Sequence, residues 1–597
     1  MRFPDLSLIP FLRDVSDETL AQLRAEIDWF SLPGGMTLFE AGDVAEAIYF
    51  VTSGALGAFR RAPNGEQELL GYIRSGEPVG EMALIAGETH SASVYAVRDT
   101  EIVRLNRAAF FRFVRQQPSV MHNLARIMLA RSRLEKRRSA RAEPKVFAFF
   151  STSPTIDLKF RASMLKRAIE TLGKRCAIAG AEAESRSSVF FEDLERWHDV
   201  VILYSPIEDS PWYKLCLRQA DRVWLFGRTD AKPSAPLMPD DPGPARRFRL
   251  VDLILLHPSR ATPQATRTAH WVEAAAARRL FHWQGDSEAD AMRLARTMTG
   301  LSIGLVLSGG GARAYAHIGV YEALREAGAQ IDFVGGTSMG AIIAACIGLG
   351  WSQNEIEQRI RKAFVDSNPL ADYVLPVVAL TRGREVDKRL AEHFGGALIE
   401  DMALPFFAVS TNLTAGAANV HRQGVLRHAL RATIALPGIL PPVVEDEHIL
   451  VDGAVTNNLP TDVMQEWHRG LTIAVDVARE GGINAADFVD PPSFTKWVAK
   501  NGFKSPPPIA SLLMRTATLN VNPWKGRERS DLLIVPEIEG VELRDWKAFD
   551  VAVAAGYQAA VEALRSQGQG LIARLRPRRP QSAESDGYEA GFDLAAN

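Results

Sequence analysis

The sequence IDFVGGTSMGAIIAACIGLG, residues 331–350, predicts a strand, a sharp turn and a buried helix. Its first four residues are mostly apolar, and its last ten are small and apolar, with a final glycine that can end a helix. The turn contains the pattern G-x-S-x-G, formed by Gly336, Ser338 and Gly340. A serine on a tight strand-to-helix turn projects its hydroxyl away from the backbone, and the helix N-terminus favours developing negative charge. Ser338 is therefore a candidate nucleophile.

A second apolar strand and a glycine loop precede this turn. The strand covers residues 303–307, and Gly309, Gly310 and Gly311 follow it. The spacing also imitates the pattern of dinucleotide sites, but the next strand ends in the serine turn and lacks the acidic residue that a ribose site requires. Two adjacent parallel strands would bring the N–H groups of the loop beside Ser338. This is the arrangement of an oxyanion hole and its nucleophile.

The partner of Ser338 is expected to be an aspartate. In an α/β-hydrolase a histidine follows the acidic member of the triad. Downstream of Asp452 only His468 remains, and it belongs to a helical stretch. Asp452 lies at the end of a predicted strand, residues 448–451, and Gly453 lets the backbone turn there. The sequence therefore favours Asp452 over a triad that contains histidine.

Length and composition predict several domains of ordinary globular protein. The 597 residues exceed the size of one hydrophobic core, so about two to four domains are expected. A net charge of −2 gives no indication of nucleic-acid binding, and three scattered cysteines argue against a disulfide framework or a zinc site. The N-terminus does not resemble a signal peptide, and no apolar run reaches the ~18 residues that span a bilayer. We expect a cytoplasmic protein with peripheral contact at the inner face of the cell membrane.

Residues 1–135 predict a β-roll with helices, because short alternating runs are separated by glycines. The stretches IYFVTSGALGAF and GEPVGEMALIAGETHSASVYAVRD resemble the cyclic-nucleotide-binding domain family. The resemblance implies that Gly80 and Glu81 begin a phosphate cassette in which Glu81 meets the ribose hydroxyl. It also adds His90 and Ser91 to the predicted nucleotide pocket.

This chain departs from that family at the position expected to bind the cyclic phosphate. Where the family has Pro-Arg, this chain has Thr89 and His90. A histidine is mostly neutral at pH 7 and cannot offer the bidentate fork of an arginine. We therefore prefer a degenerate domain that is kept for regulation, dimerisation or docking. A cyclic nucleotide as a regulatory ligand and a homo-oligomer stay open as alternatives.

Residues 145–298 predict an α/β domain with a parallel sheet, because continuous apolar runs alternate with helical stretches. The loop STSPT after its first strand lacks the glycines and lysine of a phosphate loop, so nucleotide hydrolysis is not expected. His257, His270 and His282 are too far apart in sequence to argue for a metal site. The stretch DVVILYSPIEDSPWYKLCLRQADRVWLF resembles the region that precedes the esterase domain in the neuropathy target esterase family.

Residues 299–575 resemble the patatin-like phospholipase family, most clearly over the core at 303–464. The resemblance is carried by the motifs GGGAR, GTSMG and DGA in that order, and by ATIALPGILPPV and DGAVTNNLP. It implies an α/β fold with a central, mostly parallel sheet. Residues 576–597 are polar and acidic and predict a disordered tail. Besides the residues already named, the motifs add Ala312, Arg313 and Ala454.

The resemblances together imply a bacterial, neuropathy-target-esterase-like serine hydrolase that deacylates phospholipids or lysophospholipids through a dyad of Ser338 and Asp452. No cofactor or metal is required for this chemistry. An exposed aspartate has a pKa of ~3.9 and is a poor base, so Asp452 must be desolvated. Two alternatives stay open: acyl transfer to an alcohol other than water, and a non-catalytic regulator that responds to a cyclic nucleotide.

Overall fold

Three regions, each built on its own sheet or pair of sheets, follow one another along the chain. The computed structural model describes residues 15–61, 67–136, 144–186, 188–234, 250–258, 268–367, 377–478, 526–538 and 545–566, with a few shorter pieces between them. The predicted tail at 576–597 lies outside the described residues. Within these ranges, no helix combines the length and the apolar character needed to cross a bilayer.

The first region is a β-roll, as the sequence predicts. Two four-stranded antiparallel sheets, ordered β1-β8-β3-β6 and β2-β7-β4-β5, enclose apolar side chains from both sheets. The strands are β1 (Ile27–Leu32), β2 (Thr37–Phe39), β3 (Ala47–Ser53), β4 (Ala55–Arg61), β5 (Gln67–Arg74), β6 (Pro78–Val79), β7 (Ser93–Ala96) and β8 (Thr100–Asn106). The helices are α1 (Asp17–Arg24), α2 (Glu81–Ala86), α3 (Arg107–Gln116) and α4 (Pro118–Lys136).

The middle region is a six-stranded parallel sheet with helices on its faces, which confirms the α/β prediction. Its strand order is β10-β11-β9-β12-β13-β14, and its strands are continuous apolar runs, as expected for a sheet buried on both faces. The strands are β9 (Val146–Ser151), β10 (Cys176–Ala179), β11 (Val200–Pro206), β12 (Arg222–Arg228), β13 (Val251–His257) and β14 (Arg279–Gln284). The helices are α5 (Leu158–Thr171), α6 (Ser188–Trp197), α7 (Pro211–Gln219), α8 (Thr268–Ala275) and α9 (Glu288–Met298).

The last region contains a mixed eight-stranded sheet whose centre is parallel. The order is β19-β20-β17-β16-β15-β21-β22, with β18 paired to β17. The strands are β15 (Ile303–Leu307), β16 (Ile331–Thr337), β17 (Phe406–Asn412), β18 (Ala417–His421), β19 (Val443–Glu445), β20 (His448–Asp452), β21 (Leu471–Val475) and β22 (Leu532–Ile534). The helices are α10 (Ala316–Glu326), α11 (Met339–Gly348), α12 (Gln353–Ile360), α13 (Arg384–Phe394), α14 (Leu426–Thr433), α15 (Thr461–Trp467) and α16 (Phe549–Ser566).

A buried arginine joins the first region to the middle one. Arg98, in the turn between β7 and β8, donates to both carboxylate oxygens of Glu195 and to the Gly54 carbonyl, and its Nε lies 3.3 Å from Asp221. The backbone N–H of the next residue, Asp99, donates to the Arg218 carbonyl at 3.2 Å. The turn of the β-roll is thus fixed to the middle region by main-chain and side-chain contacts.

A second buried charge lies where the middle region meets the last one. Asp252 accepts from the guanidinium groups of Arg222 and Arg279, and Arg279 also donates to the Trp467 carbonyl at 3.4 Å. Burial alone would raise the pKa of Asp252, but the two arginines outweigh it and lower the pKa to about 2. The side chains of Phe281 and Phe333 meet edge to face beside this cluster, with ring centroids 5.9 Å apart.

The helices α10 and α16 pack against each other through two glycines. A Cβ on Gly319 would lie 2.0 Å from the Val553 carbonyl oxygen, and one on Gly556 would lie 1.9 Å from the Ala316 carbonyl oxygen. Real Cβ atoms do not approach backbone this closely, so only glycine permits this spacing of the two helices. The C-terminal helix is therefore held to the helix that follows the glycine loop.

We expect Gly556→Ala to lower the midpoint of thermal unfolding by about 5 °C, because overpacking a close contact costs about 1–3 kcal/mol. Differential scanning calorimetry measures the shift. Gly396→Ala is the matched control, because a Cβ at that exposed glycine meets no atom within 4 Å. Equal shifts in the two variants would contradict this account of the helix contact.

Candidate active site

Ser338 forms the turn between β16 and α11, as the sequence predicts. It is one of four non-glycine residues with positive φ in the described part of the chain, with φ 54° and ψ −130°. Such a conformation costs about 1–3 kcal/mol and persists only where neighbouring contacts enforce it. The backbone N–H of Ser338 donates to the hydroxyl of Thr433 at 2.9 Å. The serine hydroxyl is thereby held at the N-terminal end of a buried helix.

The glycines on either side of Ser338 are required by close approach to a neighbouring strand. A Cβ on Gly336 would lie 2.4 Å from the Leu307 carbonyl oxygen, and one on Gly340 would lie 2.4 Å from the Ser308 carbonyl oxygen. Leu307 ends β15, which pairs with β16 in parallel register, and Ser308 follows it. The nucleophile turn therefore packs directly on the backbone that begins the glycine loop.

Asp452 lies within hydrogen-bonding distance of Ser338. It ends β20, opposite Ser410 of β17, and its Oδ2 accepts the hydrogen bond from the Ser338 hydroxyl at 2.7 Å. Its Oδ1 accepts from the Ala454 N–H at 2.9 Å. The side chain is only 1% exposed, and burial raises the pKa of Asp452 to about 6, although both hydrogen bonds act in the opposite direction. The carboxyl is thus desolvated and bonded to the serine, as a base in this position must be.

Close packing against β17 explains why a glycine, Gly453, follows the aspartate. A Cβ at this position would lie 2.1 Å from the Val409 carbonyl oxygen. The backbone after Asp452 can therefore turn tightly against β17 and return the Ala454 N–H to the carboxylate. The predicted motif residues Asp452, Gly453 and Ala454 form one compact turn.

The glycine loop lies next to Ser338, and the structure narrows its set of donors. A Cβ on Gly309 would lie 3.0 Å from the Cβ of Ser338. The Gly309 N–H points to the Asn458 carbonyl at 3.4 Å, so this donor is partly engaged. Among the described residues, the N–H groups of Gly310 and Gly311 donate to no acceptor, as expected before the first turn of a helix. Gly310 and Gly311 are therefore the better candidates for an oxyanion hole. Gly309, which has no side chain, lets the loop approach Ser338 closely.

The remaining residues of the glycine motif are buried in the turn of helix that follows the loop. Ala312 and Arg313 belong to the 3₁₀ turn Gly311–Tyr315, and both side chains are buried. His317 donates from Nε2 to the Ser308 carbonyl at 2.8 Å, and burial lowers the pKa of this histidine to about 4. A neutral, fixed His317 supports the start of the loop and does not reach Ser338 as a base.

The structure also excludes His468 as the partner of Ser338. It lies beyond the C-terminal end of α15 and bonds to the Ser302 hydroxyl at 3.2 Å, at the beginning of β15. Ser338 follows the opposite end of the neighbouring parallel strand. Burial lowers the pKa of His468 to about 3, so it is a neutral structural residue.

Several polar contacts in the site were not identifiable from the sequence. Asn458 donates from Nδ2 to the Gly309 carbonyl at 3.3 Å, so its side chain and backbone both contact that glycine. The hydroxyl of Thr337 donates to the Asn457 carbonyl, and that of Thr411 donates to the Asp452 carbonyl, each at 2.9 Å. Thr337, Asn457 and Asn458 at least lie inside the motif stretches, whereas Thr411 lies outside them and gave no signal in the sequence.

In the middle region, two histidines that are distant in sequence lie together. The Nε2 of His257 and the Nδ1 of His282 are 2.8 Å apart, and the Nε2 of His282 lies 2.7 Å from the Glu400 carbonyl. Sequence separation had hidden this pair. Within the described residues no group of three or more potential metal ligands forms, and the pair is fixed at the contact with the last region.

Of the residues predicted to form a nucleotide pocket, His90 packs inside the β-roll. The ring of His90 stacks on Phe39, with centroids 3.7 Å apart and an interplanar angle of 11°. His90 is buried, and burial lowers its pKa. Glu81 is buried at the start of α2, Gly80 lies against the His90 ring, and Ser91 is exposed. The position of the family's arginine therefore holds a neutral ring that turns inward.

Three family models match successive parts of the chain. The cyclic nucleotide-binding domain matches residues 29–117, the Neuropathy Target Esterase family P-loop like domain matches residues 161–299, and the patatin-like phospholipase family matches residues 305–464. The three matches correspond to the β-roll, the parallel sheet and the sheet that carries Ser338. They confirm the three resemblances recognised in the sequence.

One similar protein covers nearly the whole chain, and others cover part of it. An uncharacterized NTE family protein of Mycobacterium tuberculosis is 31% identical over 581 residues, which span 94% of this chain and 96% of that one. Patatin-like phospholipase domain-containing protein 6 of Homo sapiens is 28% identical over 544 residues, 80% of this chain and 39% of that one. The solved catabolite activator protein of Thermus thermophilus aligns with 27% of this chain and 68% of its own, at 28% identity and a TM-score of 0.21.

We expect Asp452→Asn to raise the free energy of unfolding at pH 7.5 by about 3 kcal/mol, because a carboxyl pKa of about 6 lies about two units above its unfolded value. The folded protein binds the Asp452 proton more tightly than the unfolded chain does. The wild type therefore loses stability as the pH rises from about 4 to about 6, and the asparagine variant does not.

Urea unfolding at pH 4 and pH 7.5 measures this difference. The exposed Asp209, replaced by asparagine, is the control for the same change of side chain at the surface. An equal gain for Asp452→Asn at both pH values would contradict the burial of an ionised carboxylate at pH 7.5.

Proposed function

Because the chain belongs to the neuropathy target esterase family, we propose that it is a serine hydrolase that cleaves acyl esters of phospholipids or lysophospholipids. One observation carries this proposal: the Ser338 hydroxyl donates to the buried carboxylate of Asp452 at 2.7 Å. A nucleophile that is hydrogen-bonded to a base, beside N–H groups without acceptors, is the minimum set for acyl transfer.

In the first step, the oxygen of Ser338 attacks the ester carbonyl carbon while its proton passes to Asp452. The carbonyl oxygen becomes an oxyanion, which the N–H groups of Gly310 and Gly311 stabilise. The C–O bond to the alcohol then breaks, and Asp452 gives its proton to the leaving oxygen. Loss of one oxyanion donor costs about 3–4 kcal/mol of transition-state stabilisation, so the loop contributes as much as the base.

In the second step, water replaces the alcohol. Asp452 removes one proton from the water as its oxygen attacks the acyl carbon, and the same loop stabilises the second oxyanion. Breakage of the bond to Ser338 releases the fatty acid, and Asp452 returns the proton to the serine oxygen. One carboxyl with a pKa of about 6 is suited to both directions of transfer at neutral pH.

Contact with a lipid surface is supported by two exposed valines near the site. Val377 and Val378 are 94% and 66% exposed, and they precede a segment whose backbone is bonded to residues 438 and 439, a few residues beyond the Ala435 carbonyl that accepts from Asp452. Leu380 and Thr381 donate to the carbonyls of Gly438 and Ile439. We propose that these valines meet the membrane interface in which the lipid substrate resides, whereas a homo-oligomer and a cytoplasmic location stay predictions.

For the β-roll, we propose a docking role and not cyclic-nucleotide sensing. The stacked, uncharged His90 does not supply the positive charge that a cyclic phosphate requires. By contrast, the contacts of Arg98 with the middle region are buried and specific. The domain is therefore better equipped to hold a neighbouring domain than to hold an anion.

We expect Ser338→Ala to abolish labelling by a fluorophosphonate probe, because the probe forms its bond with the activated serine oxygen. The wild-type labelling rate should fall as the pH drops below about 6, where Asp452 becomes protonated and no longer accepts the serine proton. Asp452→Asn should lower the rate at every pH. Gel fluorescence against time, from pH 4.5 to 8, measures these rates.

Release of fatty acid and lysophospholipid from phosphatidylcholine vesicles is recorded with the same preparations. Labelling that survives in Ser338→Ala, or lipid hydrolysis by a protein that the probe does not label, would rule out the proposed mechanism. Transfer of the acyl group to added glycerol in place of water would support the acyltransferase alternative.

We expect isothermal titration calorimetry of the full chain with cyclic AMP or cyclic GMP to give no binding up to about 1 mM, because His90 offers no charge to the phosphate. The combined change of Thr89→Pro and His90→Arg restores the residues of the family pattern and is the matched comparison. Micromolar binding by the wild type would contradict the docking role proposed for this domain.

A further inference from the structure

We propose that Thr433 is the positioning residue of the nucleophile turn, because its hydroxyl holds Ser338 in the conformation that meets Asp452. This inference rests on the hydrolase function proposed above. Thr433 is the last residue of α14 and is fully buried. It does not touch the reacting atoms, and it acts through the backbone of the serine.

The hydroxyl of Thr433 joins two backbone groups from different parts of the sheet. Its oxygen accepts from the Ser338 N–H at 2.9 Å, and its proton is donated to the Val409 carbonyl. Val409 belongs to β17, the strand that pairs with both β16 and β20. One hydroxyl therefore ties the nucleophile turn to the strand that positions Asp452.

The same short segment also holds the second member of the dyad. Two residues beyond Thr433, the Ala435 carbonyl accepts from the Asp452 N–H at 2.9 Å. A segment of three residues is thus bonded to Ser338 at one end and to Asp452 at the other. The distance between the serine hydroxyl and the carboxylate depends on this segment as well as on the sheet.

Only one of these two contacts depends on the type of side chain. Any residue at position 435 supplies the carbonyl for Asp452, whereas the contact with Ser338 requires a hydroxyl at position 433. The strained φ of Ser338 makes this contact necessary, because a turn that is not held can relax toward a commoner conformation. Valine has nearly the same shape as threonine but leaves the Ser338 N–H without its acceptor.

The test compares Thr433→Val with Thr433→Ser in the full chain, with p-nitrophenyl butyrate as the soluble substrate. We expect the valine variant to lose about 10- to 100-fold in kcat with KM within about twofold, because a small displacement of the reacting group has a cost of this size. The serine variant should stay within about threefold of wild type. The pH midpoint of kcat/KM should rise in the valine variant and stay in place in the serine variant, because a displaced Ser338 weakens the hydrogen bond that lowers the pKa of Asp452.

A buried threonine outside the site is the control for loss of a hydroxyl. Thr299, at the end of α9, donates to the Ala295 carbonyl at 2.8 Å, and Thr299→Val should leave kcat unchanged. If Thr433→Val does not fold, Thr433→Cys replaces it, because a thiol is a weak acceptor and still fills the space. Circular dichroism and the thermal midpoint establish folding before each kinetic comparison.

Two outcomes would overturn the role of Thr433. One is a folded valine variant, or its cysteine substitute, with wild-type kcat. The other is a serine variant that is as impaired as the valine variant. Failure of the hydrolase function would look different, because the wild type itself would then neither hydrolyse the ester nor react with the fluorophosphonate probe.

Discussion

The burial of Asp452 is the constraint on which this site depends. A carboxylate can activate a serine without a histidine only if its proton affinity is raised toward that of a useful base. Removal from water raises the pKa of Asp452 to about 6, and the two hydrogen bonds from Ser338 and Ala454 keep the charged form accessible. An ionised buried carboxyl with so few partners destabilises the fold, so the surrounding sheet must supply the stability that this residue removes.

The sheet holds the site in place through close packing of its backbone segments. Gly336 and Gly340 let the serine turn pack on the carbonyls at the end of β15, and Gly453 lets the aspartate turn pack on β17. Each of these glycines is needed because a neighbouring carbonyl occupies the position that a Cβ would take. As a result, the serine, the aspartate and the glycine loop lie close together, and their relative positions depend on strand register and on the contacts of Thr433 and Ala435.

The sequence predicted the parts of the site that depend on local motifs and missed those that depend on contacts between distant residues. The motifs around Ser338, Gly309 and Asp452 are local, and each shows in the sequence a glycine or a strand end that the chemistry requires. Thr433 gave no such signal, because its partner is 95 residues away and the contact exists only once α14 lies against β17. The pair of His257 and His282 was hidden in the same way, since adjacent parallel strands bring together residues that are distant in sequence.

The ion pairs between the β-roll and the middle region bear on whether the β-roll can regulate the site. Undocking the β-roll would separate Arg98 from Glu195 and Asp221. A ligand can drive this only by its difference in affinity for the docked and undocked states. The uncharged His90 does not supply a positive charge with which a cyclic phosphate could provide that difference. We therefore infer that the first domain acts through its fixed position on the middle sheet, which in turn packs against the sheet that carries Ser338.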